Sequence, residues 1–504
     1  DPQAHHALAR QVAGEGAVLL KNESGLLPLK PGAKIALIGR FARQPRYQGA
    51  GSSLMNPTRL DNLYDELAKL VGVSRLSYAP GYTVKGDLPD EALIQEALAA
   101  AGQADVVLIC AGLTDMYEIE GLDRQHLNLP AGHDALIQRL AADHKNVVVV
   151  LSNGSPVAMP WVNQVPAILE GYLGGQAGAG ALADILTGLV NPSGKLAESF
   201  PLRLEDTPAQ PYPGGPATVE YREGLYVGYR YYDSADVDVL FPFGHGLSYT
   251  TFDYRDLALT RNGEIVMATF KVKNSGALVG KEIVQLYVRD LQSSVYRPDK
   301  ELRGFAKVEL QPGEETQLSL PLGRRAFAFY DPGSRDWAVE AGEFEILVGA
   351  SSRDIRLSAT LHLPAEQKNQ IQPVQKQRPT SGYRFSQAEF EALLGRPLPT
   401  NKSAQKGSFT LNTPISELGS TFSGRILYRI TKDSIRKMMN GKEDTPSGML
   451  MLVMADEMPL RNLLMAQSPF NRPQLEALLL LLNGHSARGL LAFLKAAFKK
   501  TGSA

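Results

Sequence analysis

Three short runs that are apolar on both faces, KIALIG at 34–39, DVVLIC at 105–110 and NVVVVLS at 146–152, constrain this chain more than any other feature. Uninterrupted apolar runs of that length suit strands covered on both sides rather than strands with one wet face. Helical patterns lie between them. Leu93, Ile94, Ala97, Leu98 and Ala101 recur at helical spacing after Asp90, a residue type that caps helix N-termini, and Leu136, Ile137, Leu140 and Ala141 repeat the pattern. Strand and helix taking turns predict an open, largely parallel α/β sandwich over residues 1–200.

From about Phe252 the period changes to two, in MATFKVKN, KEIVQLYVRD, ETQLSLPL, DWAVEAGEFEILVGAS and IRLSATLHL, which predicts a β-sandwich over 252–363. Residues 201–251, with PAQPYPGGPA and the tyrosine cluster YREGLYVGYRYYD, read as a linker too rich in Pro and Gly for a regular element. Its tyrosines could stack on sugars, but are expected to anchor the linker between domains. Residues 364–384 are polar and Gln-rich, a flexible tether. Residues 385–504 read as a helical C-terminal extension, with a capping box at Ser386 and Glu389, helices in PQLEALLLLLNG and RGLLAFLKAAFKK, and a Met-rich stretch, MLMLVMADEMPLRNLLM, expected to dock on its own chain.

The near balance of 52 Lys and Arg against 53 Asp and Glu excludes a large basic surface, so a nucleic acid is not expected as partner. Cys110 is the one cysteine, so neither a disulfide framework nor a cysteine zinc site can form, and a reducing, cytoplasmic setting is expected. No apolar stretch of about 18 residues marks a membrane span, and DPQAHHALAR lacks the order of a signal peptide. The chain opens inside an amphipathic pattern of Ala4, Leu8 and Val12, as if a preceding part were missing. His5, His6, His126, His144 and His245 have no metal-ligand spacing, so no metal and no cofactor is expected.

In open α/β sheets ligands sit beyond the carboxyl ends of the strands. Two loops there, 39–58 and 111–132, run to about 20 residues where two to six are common. The second places Glu118, Glu120 and Asp123 within six residues. A carboxyl group beside a sugar can act as general acid while a second carboxylate attacks the anomeric carbon. Glu118 and Glu120, two apart, would point in opposite directions if extended, so they are not themselves that pair. On spacing alone the cluster reads equally well as a solvated loop paired with Arg124. GGQAGAG at 174–180 is read as a turn before the helix ALADILTG rather than a dinucleotide loop, and Asp336–Trp337 as a turn and core residue of the sandwich rather than a nucleophile motif.

The series ARQVAGEGAVLLKNESGLLPLK, IALIGRFARQPRYQGAGSSLMNPT, EIEGLDRQHLNLP, GGQAGAGALADILTGLVNPSGKLAESFP and YREGLYVGYRYYD followed by LFPFGHGLSYTTFDY resembles the second domain of glycoside hydrolase family 3. VKNSGALVGKEIVQLYVRD and LRGFAKVELQPGE resemble the fibronectin type III-like domain that follows it in many β-glucosidases, and FSQAEFEALLGRPLP is similar to the helical extension of some bacterial members. The resemblance implies part of a retaining, exo-acting hydrolase of terminal β-linked sugars from oligosaccharides or glycosides, with Glu120 as general acid/base. Glu118 is the alternative for that role. Arg46, Tyr47, Gln48, Ser52 and Ser53 are expected to line the leaving-group side of the pocket, and Asp123 and Arg124 to hold the loop as an ion pair. The family's first domain, a (β/α)8 TIM barrel carrying the aspartate nucleophile, would precede residue 1 and is absent from this sequence. A barrel in cis or in trans is therefore the implied partner, the chain alone is expected to be inactive, and the bare face left for a barrel predicts self-association into a homo-oligomer. A non-catalytic carbohydrate-binding or assembly protein on the same scaffold, and a nucleotide-binding doubly wound domain, are the competing readings. Turnover only on mixing with a barrel separates the first from the second, and affinity for NAD or a mononucleotide would revive the third.

Overall fold

The structure, a computed structural model, describes residues 1–51, 54–212, 214–364, 383–464 and 470–498. Ser52, Ser53 and nearly all of the expected tether lie outside these residues. The first domain holds six strands, β1 (Val18–Asn22), β2 (Ile35–Ile38), β3 (Leu76–Ala79), β4 (Val106–Gly112), β5 (Val147–Ser152) and β6 (Ala167–Glu170). They form one sheet in the order β1-β6-β5-β4-β2-β3, parallel except for β1, which pairs antiparallel with β6 at the edge. Every residue of β2 and β4 is buried, which is why both read as continuous apolar runs.

Five helices cover the sheet: α1 (Pro2–Gly16), α2 (Leu63–Val71), α3 (Glu91–Ala101), α4 (Ala131–Asp143) and α5 (Gly178–Thr187). Asp90 caps α3 as expected, accepting from the amides of Ala92 and Leu93. α1, α2 and α5 pack together, and α3 packs with α4. Arg10 fastens the first group: its guanidinium reaches Asp184 of α5 at 2.6 and 2.7 Å and Glu66 of α2 at 2.6 Å. The chain steps from β2 outward to β3, then back past β2 to β4. That reversal makes the boundary between β2 and β4 the topological switch point, the place beyond the strand ends where ligands bind in open sheets of this kind.

The stretch 201–251 is more regular than its composition predicts. It contains β8 (Val239–Phe241), paired with β7 (Phe200–Pro201), and α6 (Tyr229–Ser234). Buried tyrosines supply the energy that local propensity lacks: Tyr226, Tyr231 and Tyr232 cluster together, while Tyr229 stacks on Phe243. Tyr226 donates to Arg297 O and Tyr229 accepts from Leu302 N, so these side chains bolt the segment to the next domain.

That domain is a sandwich of a three-stranded sheet, β9 (Phe252–Asn262), β10 (Ile265–Asn274) and β13 (Glu315–Leu322), against a four-stranded one, β11 (Gly280–Asp290), β12 (Glu301–Leu310), β16 (Gly342–Gly349) and β17 (Ile355–Leu363). A short hairpin of β14 (Phe329–Asp331) and β15 (Asp336–Ala338) holds the Asp336–Trp337 pair. Buried and open positions alternate along β10, as the period of two requires.

The remaining described residues carry α7 (Gln387–Leu394), with the expected Ser386–Glu389 capping box, α8 (Phe422–Met439), α9 (Pro446–Glu457), α10 (Arg472–Leu482) and α11 (Ser486–Phe498). Phe409, Leu418, Leu460, Leu475 and Leu482 form a separate small core for this extension.

Candidate active site

Two turns at the switch point set the site. β2 ends at Gly39, whose φ is 110° and where an added Cβ would lie 2.2 Å from Cys110 O. Only glycine permits that turn against β4. Tyr82, wholly buried, donates to Cys110 O at 2.7 Å and accepts from Phe41 N at 3.1 Å, fixing where the first long loop leaves the sheet. Beneath the second loop lies His133, its ring centroid 3.7 Å from that of Tyr82. Burial depresses it to about 3, so it is a neutral packing group.

The second loop rises from β4 and folds as a series of turns. Ile119 is buried, Glu118 half-buried and Glu120 exposed. Glu118 Oε1 accepts from Gly154 N at 2.9 Å and from Ser155 Oγ at 2.9 Å, and Oε2 lies 3.1 Å from Gly154 N. These bonds clamp the 111–132 loop to the loop after β5. Arg46, 8% exposed, stands behind the clamp with Nε 3.0 Å from Asp115 Oδ1 and Nη2 3.6 Å from Glu118 Oε2. Arg124 Nη1 donates to Ser155 Oγ at 2.9 Å and to Pro156 O at 2.8 Å.

Glu120 faces the other way, toward the first loop. A Cβ built on Gly51 would stand 3.1 Å from Glu120 Oε2, so this carboxylate lies against the glycine turn of the first loop. The two glutamates therefore diverge, although the loop is a series of turns rather than the extended segment for which their spacing predicts it. Tyr47 and Gln48 buttress the first loop: Gln48 Nε2 donates to Tyr47 OH at 2.8 Å and to Met55 O at 3.0 Å, while Tyr47 O accepts from Gly175 N at 2.9 Å.

The expected ion pair between Asp123 and Arg124 does not form. Asp123 is exposed, and Arg124 turns inward to Ser155 and Pro156, where a desolvated guanidinium gains two fixed acceptors that an exposed carboxylate cannot match. Burial pulls Arg124 below its ordinary value and the Glu118 charge offsets part of that.

Behind the clamp lies a group that sequence reasoning missed. Glu170, at the end of β6 and 0% exposed, accepts from Asn153 Nδ2 at 3.0 Å and from Tyr172 N at 2.8 Å. Burial lifts it to about 8, so it carries a proton at neutral pH. Tyr172, at φ 50°, donates its OH to Glu198 Oε1 at 3.2 Å, and burial also raises Glu198. A bulky side chain at positive φ is backbone strain, and strain of this kind clusters at functional sites. The visible signal was a glutamate closing the apolar run AILE.

A doubly wound sheet with carboxylate-bearing loops at its switch point, joined to a fibronectin-like sandwich, defines the class: a two-domain architecture that the comparisons with known proteins match domain by domain. Residues 17–249 match the glycosyl hydrolase family 3 C-terminal domain, and residues 282–352 the fibronectin type III-like domain. The chain belongs to glycoside hydrolase family 3. It is 54% identical over 369 residues to thermostable beta-glucosidase B of Acetivibrio thermocellus, covering 72% of this chain and 49% of that protein. It is 44% identical over 382 residues to an exo-alpha-(1->6)-L-arabinopyranosidase of Bifidobacterium longum, covering 73% of this chain and 50% of the relative. The crystal structure of a Bifidobacterium adolescentis family 3 beta-glucosidase superposes with a TM-score of 0.70 at 39% identity, over 85% of this chain and 58% of that one. The chain thus spans about half the length of the curated relatives it matches.

Proposed function

We propose that this chain is the acid/base-bearing portion of a retaining, exo-acting β-glycosidase, with Glu120 as the proton donor and a (β/α)8 barrel, in cis or in trans, supplying the nucleophile. The observation that carries this reading is the division of labour between the two loop glutamates. Glu118 accepts with both oxygens from the 154–155 backbone and hydroxyl, whereas Glu120 is exposed and turned toward the Gly51 turn of the first loop. In the first step Glu120 would protonate the leaving-group oxygen as the nucleophile attacks the anomeric carbon. In the second it would take a proton from the water that releases the sugar. The two carboxyl groups of a retaining pair stand about 5–5.5 Å apart, so the barrel must close over the 39–58 and 111–132 loops. Relatives named for a glucoside and for an arabinopyranoside share this portion, which fits a terminal-sugar choice made mainly by the barrel.

The test is turnover of an aryl β-glucoside by the chain alone and combined with a family 3 barrel. Activity on combination only, lost by more than a hundredfold in Glu120→Gln and partly restored by azide with an activated substrate, is the expected result. Equal loss in Glu118→Gln with Glu120→Gln unaffected would move the assignment. Sugar binding without turnover in any combination would replace it with a non-catalytic carbohydrate-binding role.

A further inference from the structure

The helical extension has a core of its own, yet one of its helices reaches the acid loop. A Cβ on Gly121 would lie 3.1 Å from Leu450 Cδ1, and a Cβ on Gly51 would lie 3.7 Å from Leu450 Cδ2 and 3.1 Å from Glu120 Oε2. A side chain added at Gly51 would thus meet both the leucine and that carboxylate. Leu450 belongs to α9, whose other side is held by α8: Asp456 accepts from Tyr428 OH at 2.7 Å and from Lys432 Nζ at 3.0 Å. One turn beyond Leu450, on the same face, stands Met454, 49% exposed; Met451, 37% exposed, flanks it. An adaptable apolar surface therefore continues outward from Glu120.

A general acid must sit beside the leaving group, because it protonates the departing oxygen. We propose that α9 forms the outer wall of the leaving-group subsite, with Leu450 and Met454 contacting apolar, aryl or alkyl aglycones. This rests on the reading of Glu120 as the acid. It adds a source of aglycone selectivity that lies in neither the α/β domain nor a barrel.

The experiment has two arms. In the first, the full chain with 13C-methyl methionine is titrated with phenyl 1-thio-β-glucoside and with methyl 1-thio-β-glucoside. The Met454 methyl signal, assigned by its loss in Met454→Leu, moves with the phenyl compound and not with the methyl one. Absence of any selective shift overturns the proposal, whether or not the chain catalyses anything. In the second arm, the chain combined with a family 3 barrel is assayed on β-glucosyl fluoride, methyl β-glucoside and a bulky aryl β-glucoside. Leu450→Ser and Met454→Ser each raise KM for the aryl substrate by about tenfold, the scale of a lost apolar contact. The same variants leave fluoride turnover unchanged, and Leu450→Met retains the aryl preference. Equal losses on all three substrates, or weaker association with the barrel, would make α9 a structural or docking element and overturn the proposal. Failure of the Proposed function reading is distinguishable: either the unaltered combination turns over none of the three, or Glu120→Gln leaves turnover of the aryl substrate intact.

Discussion

Glu170 offers the sharpest quantitative test of the structure behind the site. It is fully buried, it accepts from the neutral donors Asn153 Nδ2 and Tyr172 N, and burial lifts it from the ordinary 4.5 to about 8. Between those two pH values the folded chain keeps a proton that the unfolded chain has released. Raising the pH therefore favours the unfolded state, and stability falls across that window. Each pH unit is worth about 1.4 kcal/mol, so the full span amounts to about 5 kcal/mol at most. Glu170→Gln cannot ionise and escapes the loss. The amide nitrogen would face either Asn153 Nδ2 or Tyr172 N, however, sacrificing a buried hydrogen bond at a cost of about 1–3 kcal/mol. The variant is thus expected to be less stable than the parent near pH 5 and more stable near pH 9. The difference between them should climb by about 1.4 kcal/mol per unit up to about pH 8 and then level off. Trp161, wholly buried in the same domain, reports its unfolding by fluorescence in urea, and Trp337→Phe removes the signal of the sandwich. Asp134, which accepts from Trp161 Nε1 and is lifted by burial to about 6, is common to both proteins and cancels in the difference. A difference that stays flat from pH 5 to 9 would refute the reasoning, since Glu170 would then be ionised in the folded chain.

Four further outcomes follow from the same contacts. Gly39→Ala, forced to positive φ and into Cys110 O, should destabilise the first domain by more than about 3 kcal/mol, read as a lowered urea midpoint. Glu118→Ala leaves the Gly154 amide and the Ser155 hydroxyl without their acceptor and should cost about 1–3 kcal/mol, with faster amide exchange at 154–155. Cys110, fully buried and pushed up to about 12, should resist iodoacetamide at pH 8 in the native chain and react promptly in urea. Tyr226→Phe, losing its bond to Arg297 O, should loosen the 201–251 segment and raise its rate of limited proteolysis without unfolding the sheet.

Much of the fold was legible because burial leaves periodic traces. The runs at 34–39, 105–110 and 146–152 became β2, β4 and β5, and the period-two segments became the sandwich. The short strands β1, β3 and β6 were not read, since VLLKN, LSYA and AILE mix polar with apolar residues and lack the uninterrupted apolar run that marked β2, β4 and β5. α6 and β8 were missed for a different reason: their stability comes from tyrosines packed against residues of another domain. In the site, the two long loops and their glutamates were visible by length and type. The hydrogen bonds that separate Glu118 from Glu120 were not, nor was the turn of Arg124 away from Asp123.

The sequence by itself determined the layers, the order of the three folded parts and the two long loops of the first domain, because hydrophobic periodicity and loop length are properties of the chain read one residue after another. Only the tertiary structure decided that Glu118 is held by the 154–155 loop while Glu120 faces the first loop, that Glu170 is buried behind Glu118, and that Leu450 comes back to the glycines flanking Glu120 from some 330 residues downstream. Those facts depend on desolvation and on distances between residues far apart in the chain. No local pattern encodes either one.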